Sequence, residues 1–274
     1  MGYFTTRDGC RLFYDIQGIQ GSQAERAGET DVPTVVFLNG TAQTAVNWHP
    51  QVRSLKDRFR VVTYDARAQG RSELGSTDLS WQRHVNDLKA LLADRSIPRA
   101  ALVGMSHGAF IALAFAHQFP KRVDHLVLCG LGDTPTRRSR LYLRSWAEIL
   151  AIGGIEMMAR SFIPTVFGEA FLRDREKIMD KIVAALVRRN TPDALLAHLN
   201  ALAEYPSPAR FTLTRSIPLL VLSGEEDLPA PPESGQRLAA HCGGRFERVA
   251  GVGHSFPSEA PDRFSARIAA FLSA

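Results

Sequence analysis

Hydrophobic residues along the chain follow two rhythms. Short apolar runs rich in β-branched residues stand at Thr34-Val35-Val36-Phe37-Leu38, Arg60-Val61-Val62-Thr63-Tyr64, Ala100 to Val103, His125-Leu126-Val127-Leu128-Cys129, Pro218-Leu219-Leu220-Val221-Leu222 and Phe246-Glu247-Arg248-Val249. Most of them are apolar at successive positions, which predicts strands covered on both faces, as in a parallel sheet flanked by helices. Between the runs, apolar residues recur at spacings of three and four and predict helices over Trp81 to Asp94, Ala109 to Gln118 and Pro261 to Leu272. Strands alternating with helices define the class as α/β, with a doubly wound, mostly parallel sheet.

Two departures from this alternation organise the rest. Tyr3 to Thr6 and Arg11 to Gln17 flank Arg7-Asp8-Gly9, a hairpin with a turn glycine, and the polar, glycine-bearing stretch from Gly18 to Asp31 predicts a surface loop. After Asp133 the pattern turns helical throughout, clearest at Leu141 to Leu150, Phe171 to Val187 and Pro192 to Ala203, and strands resume at Ile217. Residues 132–210 are thus expected to form a helical cap inserted into a core made of residues 1–131 and 211–274.

Composition narrows the class further. At 274 residues with 45% hydrophobic and 22% charged content, the chain fits one large globular domain. Cys10, Cys129 and Cys242 are odd in number and widely spaced, with no His or Cys partner at a local metal-ligand spacing, so neither a disulfide framework nor a metal is expected. The sequence shows no signal segment and no apolar run near the length of a membrane span, and the protein is expected to be cytoplasmic. The opening Met1-Gly2-Tyr3-Phe4-Thr5-Thr6 matches a myristoylation pattern, read as accidental in this context. The net charge of +5 is concentrated between Leu131 and Arg210, where 12 Lys/Arg face 9 Asp/Glu. That excess reads as a solvated helical face, because nucleic-acid binding needs a denser basic stripe with interleaved aromatics.

Candidate chemistry gathers where an open parallel sheet places it, just beyond the carboxyl ends of the strands. Asn39-Gly40-Thr41, Asp65, Ser106, Asp133, Asp227 and His254 each follow a predicted strand. Gly104-Met105-Ser106-His107-Gly108 has the Gly-x-Ser-x-Gly spacing of a nucleophile elbow, in which a serine sits on a sharp strand-to-helix turn. A serine hydroxyl needs a base to become nucleophilic, and the base needs a carboxylate to hold its tautomer. Ser106, Asp227 and His254 supply these groups in the chain order serine, acid, histidine. Asp133 also follows a strand and stands as the alternative acid.

These residues, with Asp8-Gly9, Asp65-Ala66-Arg67-Ala68-Gln69-Gly70-Arg71-Ser72, Gly224-Glu225-Glu226-Asp227 and Gly253-His254, resemble the α/β-hydrolase superfamily in its serine-nucleophile branch over nearly the whole chain. Ala68 stands where the family usually has Gly, and Asn39 where it often has His. The resemblance implies an oxyanion hole made by the backbone amides of Thr41 and His107, with the His107 side chain facing away. Because those donors are backbone groups, Asn39 leaves the hole in place and changes how its loop is braced.

A serine nucleophile, where some relatives carry aspartate, points to acyl transfer. Ser106, Asp227 and His254 need no organic cofactor and no metal for hydrolysis of a carboxylic ester, lactone or thioester through an acyl-enzyme. Leu38-Asn39-Gly40-Thr41-Ala42-Gln43-Thr44-Ala45 is also similar to the oxyanion loop of 3-hydroxyacyl carrier-protein acyltransferases. That resemblance implies a second activity, transfer of an acyl group from an acidic carrier protein or a coenzyme A thioester to a hydroxyl. A weakly catalytic ligand receptor on the same fold is the third reading. The expected partner is a small molecule. Met157, Met158, Phe162, Ile163, Phe167 and Phe171 make the cap apolar, and most are assigned to its internal packing. His49, His84, His117, His125 and His241 are assigned structural or surface roles.

Overall fold

The apolar runs pair into one eight-stranded sheet in a computed structural model that describes residues 1–19, 33–75 and 79–273. The strands are β1 (Gly2–Thr5), β2 (Arg11–Gly18), β3 (Thr34–Leu38), β4 (Arg60–Tyr64), β5 (Ala100–Met105), β6 (Val123–Cys129), β7 (Leu219–Gly224) and β8 (Arg245–Val249). They lie side by side in the order β1-β2-β4-β3-β5-β6-β7-β8. β1 and β2 form the expected hairpin, β2 runs antiparallel to β4, and the remaining pairings are parallel. Most of the loop predicted between Gly18 and Asp31 lies outside the described residues.

Strand side chains alternate between two cores, which is why the runs have no polar face. Val36, Leu38, Leu102 and Leu126 pack against α2 (Trp81–Asp94) and α3 (His107–Gln118). Val35, Phe37, Val103 and Leu220 face the other way, onto α1 (His49–Leu55) and α10 (Pro261–Leu272). The helices α1, α8 (Pro232–Cys242) and α9 (Phe256–Glu259) were not among the predicted elements. Each carries a proline in its first turn, where a missing N–H leaves no helical bond unmade.

Between β6 and β7 lie α4 (Arg137–Val166), α5 (Glu169–Arg175), α6 (Met179–Arg189) and α7 (Pro192–Ala203). The single helix predicted over Phe171 to Val187 is divided by a 3₁₀ turn at Glu176–Ile178. The sequence reading also missed that α4 contains an 18-residue window with a mean hydropathy of 1.4. Trp146, Leu150 and Met158 of that helix pack on Leu195 and Leu199 of α7, and Gly154, at φ 71°, breaks it into two. These contacts make its buried side part of the insertion's core.

One ion cluster, with Arg67 and Asp87 buried and Asp8 open to solvent, ties the hairpin turn to α2. Arg67, fully buried, donates from Nη1 and Nη2 to Asp8 at 3.0 Å and from Nε and Nη2 to Asp87 on α2 at 2.9 Å. The guanidinium satisfies both carboxylates in bidentate fashion, the geometry that makes a buried pair tolerable. The hydrogen bonds from Arg67 and Thr6 hold the Asp8 carboxyl far below the usual carboxylate range.

Candidate active site

At the end of β5 the chain turns into α3 through Ser106, whose φ of 52° and ψ of −112° lie in a region non-glycine residues seldom occupy. Two glycines make the turn feasible. A Cβ on Gly104 would collide with the backbone of Gly108 and Ala109, and one on Gly108 with the backbone of Leu38 in β3. The Ser106 amide donates to the Cys129 carbonyl at 2.8 Å, which fixes the elbow to β6.

Asp227 and His254 arrive at the same sheet edge from the loops after β7 and β8. The His254 Nδ1 lies 2.9 Å from both carboxylate oxygens of Asp227, which itself accepts the Ala230 amide at 2.7 Å. Both residues are buried. Asp133 is occupied elsewhere: Arg237 donates to its two oxygens at 2.9 Å and Ser234 donates at 2.7 Å. Burial opposes the Asp133 charge, yet those hydrogen bonds outweigh it and leave the carboxyl below its ordinary value.

The loop after β3 carries Thr41 and is braced from several sides. Asn39 accepts from Trp48 Nε1 at 2.8 Å and donates to the Tyr64 carbonyl at 3.0 Å. Gln43 accepts the Gly40 amide and Gln69 donates to the Gly40 carbonyl, each at 2.9 Å. Asp65 accepts the amides of Ala45 at 2.6 Å and Arg71 at 2.9 Å; burial raises its pKa. On the far side, Glu259 accepts the amides of Gly253 and Gly168 at 2.8 Å, joining the His254 loop to the start of α5.

Thr41, Ser106, His107 and His254 line one cavity of about 440 Å³. Its other wall is apolar, with Leu143, Trp146, Phe162, Ile163, Phe167 and Leu186 from α4, its C-terminal end and α6. Phe162, Ile163 and Phe167 therefore face the cavity as well as packing among the helices, whereas Met157 is exposed and Phe171 stacks on Phe167 at 4.4 Å. Lys181 and Arg189 of α6 add two cations to the lining.

Behind the elbow the structure brings His84 of α2, His107 of α3 and His198 of α7 together, all buried. The His107 side chain is directed at this group. Its pKa is lowered well below the usual value by burial and then by His198 and His84, and burial pushes His198 down to about 4. His198 Nε2 lies 3.3 Å from the Thr41 hydroxyl. His198 was overlooked in the sequence, although its position beside Leu195 and Leu199 on the apolar face of α7 marked it as an inward residue.

The sequence model of the alpha/beta hydrolase fold matches residues 33–261. The chain belongs to the alpha/beta hydrolase fold family. It is 25% identical to 3-oxoadipate enol-lactonase 2 of Acinetobacter baylyi over 89% of its own length and 90% of that protein. Among solved structures, the enol-lactonase from Burkholderia xenovorans LB400 superposes with a TM-score of 0.88 at 23% identity, covering 100% of both chains. A thermophilic esterase from Thermogutta terrifontis, solved with malate bound, superposes with a TM-score of 0.85 at 25% identity, covering 99% of this chain and 97% of that one. In this alpha/beta hydrolase the strand ends of one sheet gather a hydroxyl, an imidazole and a carboxylate around an apolar cavity. That set can run acyl transfer.

Proposed function

We propose that this alpha/beta hydrolase cleaves a carboxylic ester, lactone or thioester through an acyl-enzyme on Ser106. One observation carries the reading: Ser106, on its strained turn, lines the same cavity as His254, and the Nδ1 of His254 is held 2.9 Å from the buried Asp227 carboxylate. Asp227 fixes the tautomer in which Nδ1 carries the proton and Nε2 is free to act as base. His254 takes the Ser106 proton as Oγ attacks the carbonyl carbon, and the amides of Thr41 and His107 receive the resulting oxyanion. Collapse breaks the bond to the leaving oxygen or sulfur, which takes the proton from His254. Water, deprotonated by the same imidazole, then attacks the acyl carbon and releases the acid and Ser106.

The apolar wall supports an acyl or ring substituent of small to medium size. Lactones and esters share this chemistry, and the similar proteins include an enol-lactonase and an esterase. Free Cys10, Cys129 and Cys242 fit a cytoplasmic setting. A second reading, acyl transfer from a carrier-protein or coenzyme A thioester to a hydroxyl, draws support from Lys181 and Arg189, two cations available to a phosphate-bearing donor.

Hydrolysis of p-nitrophenyl esters from acetate to decanoate, with and without an added alcohol, tests both. Serine hydrolysis predicts turnover that Ser106→Ala lowers by at least about 10⁴-fold in a folded protein. Free acid as the product supports the hydrolase, and a new ester made in preference to acid supports the transferase. Activity untouched by Ser106→Ala overturns the acyl-enzyme reading.

A further inference from the structure

We propose that His84, His107 and His198 form a buried divalent-metal site, suited to Zn²⁺, that fastens α7 to the core behind the Ser106 elbow. Three different helices each contribute one imidazole, and the ligand atoms lie within 4.8 Å of one another. The side chains are 1%, 4% and 1% exposed, respectively, so the cluster is closed to bulk water. The rings of His107 meet those of His84 and His198 edge to face, at centroid separations of 4.8 and 4.5 Å.

The second observation concerns His107 alone. Neither of its ring nitrogens makes a well-formed hydrogen bond among the described residues, the Asn39 backbone being only a marginal partner, although the side chain is almost fully buried. Buried polar atoms are nearly always paired, and a cluster of imidazoles whose nitrogens lack well-formed partners is a donor set suited to a metal ion. Imidazole suits zinc and its first-row neighbours, and ligation requires the neutral ring. Three nitrogens leave one tetrahedral position, and the Thr41 hydroxyl, 3.3 Å from His198 Nε2, is an oxygen already at the cluster. Ligands about 2.0–2.1 Å from zinc stand about 3.3 Å apart in a tetrahedron, so binding would draw the rings inward.

The role assigned is structural. His107 reaches both the cluster and the catalytic cavity, whereas His84 and His198 are not among the residues lining that cavity. The three residues are far apart in sequence, which is why the absence of a local ligand spacing left no metal expected from the sequence.

The test uses the full chain without a histidine tag, unfolded in chelator, refolded with Zn²⁺ alone and dialysed, followed by elemental analysis and thermal unfolding. Wild type and the control His241→Asn, which alters a histidine outside the cluster, are expected to retain about one zinc per chain and to gain about 5 °C or more in thermal midpoint over the metal-free protein. His84→Phe and His198→Phe, which keep an aromatic ring and remove the nitrogens, are expected to retain less than about a tenth of that zinc. Should those variants fail to fold, Cu²⁺ loaded into wild type gives a paramagnetic spectrum whose hyperfine lines count the coordinating nitrogens. Three nitrogens support the site. Fewer than three, no retained zinc in wild type, or equal retention in folded variants overturns it.

Discussion

The elbow at the end of β5 and the helical insertion between β6 and β7 line the same cavity by different means. At the elbow the backbone itself is specified: Ser106 sits at φ 52°, and the surrounding backbone leaves no room for a Cβ at Gly104 or Gly108. In the insertion, positions are set mainly by side-chain packing, around small clusters centred on Trp146, Leu150, Leu195 and Leu199. Steric constraints of the first kind tolerate almost no change, whereas a packed helical wall can be re-cut with modest loss. Under the proposed function, the contrast would place the chemistry at the sheet edge and the selectivity in the helices.

The largest effect expected concerns the acid. Asp227→Asn should lower ester turnover by about 10⁴-fold with little loss of fold, because His254 then loses the partner that holds its tautomer. Asp133→Asn should leave turnover within about threefold and lower the thermal midpoint instead, since it breaks the Arg237 and Ser234 contacts. Kinetics of the two variants side by side check this, and an inversion of the pattern would move the acid to Asp133.

On the insertion side, Trp146→Ala opens the apolar wall of the cavity. Its expected signature is a shift in preferred acyl length and a rise in KM of about tenfold or more, with labelling of Ser106 by a small phosphonate changed less than about threefold. Equal loss of both would assign the helices to holding the site together.

How much of this was legible follows the same division. The strands, the hairpin and α2 could be read from the sequence because continuous β-branched runs and clean three-and-four spacing each have one physical solution. That Ser106, His254 and Asp227 lie at one sheet edge was legible because parallel strands end there, although the same rule brings Asp133 to that edge and it pairs with Arg237 instead. The Asn39 brace to Trp48, the Glu259 link to Gly168 and the His84–His107–His198 group were not, since each depends on side-chain contacts between elements distant in sequence. The break at Gly154 was hidden too, because the apolar pattern continues across it.

Two smaller effects probe the core loop that carries Arg67. Asp8 is held far below its ordinary value of 3.8 by the Arg67 and Thr6 hydrogen bonds, so the folded protein releases that proton more readily than the unfolded chain. Its stabilisation is complete above pH 3.8 and is lost as pH falls below it. Asp8→Asn should flatten the fall of the urea midpoint with acidification in that range and lower stability at neutral pH. The smallest change expected is a gain: Ala68 sits at φ 65°, and Ala68→Gly should raise stability by about 1 kcal/mol in urea denaturation.

The central claim is the covalent one, and the most direct measurement is acid-quenched mass spectrometry during turnover of a p-nitrophenyl ester. Acyl transfer through Ser106 predicts a mass increment equal to the acyl group, carried by the peptide containing Ser106, formed in a burst with p-nitrophenol and absent from Ser106→Ala. Turnover without any acylated peptide at saturating ester, or an acyl group mapped to another residue, would contradict it.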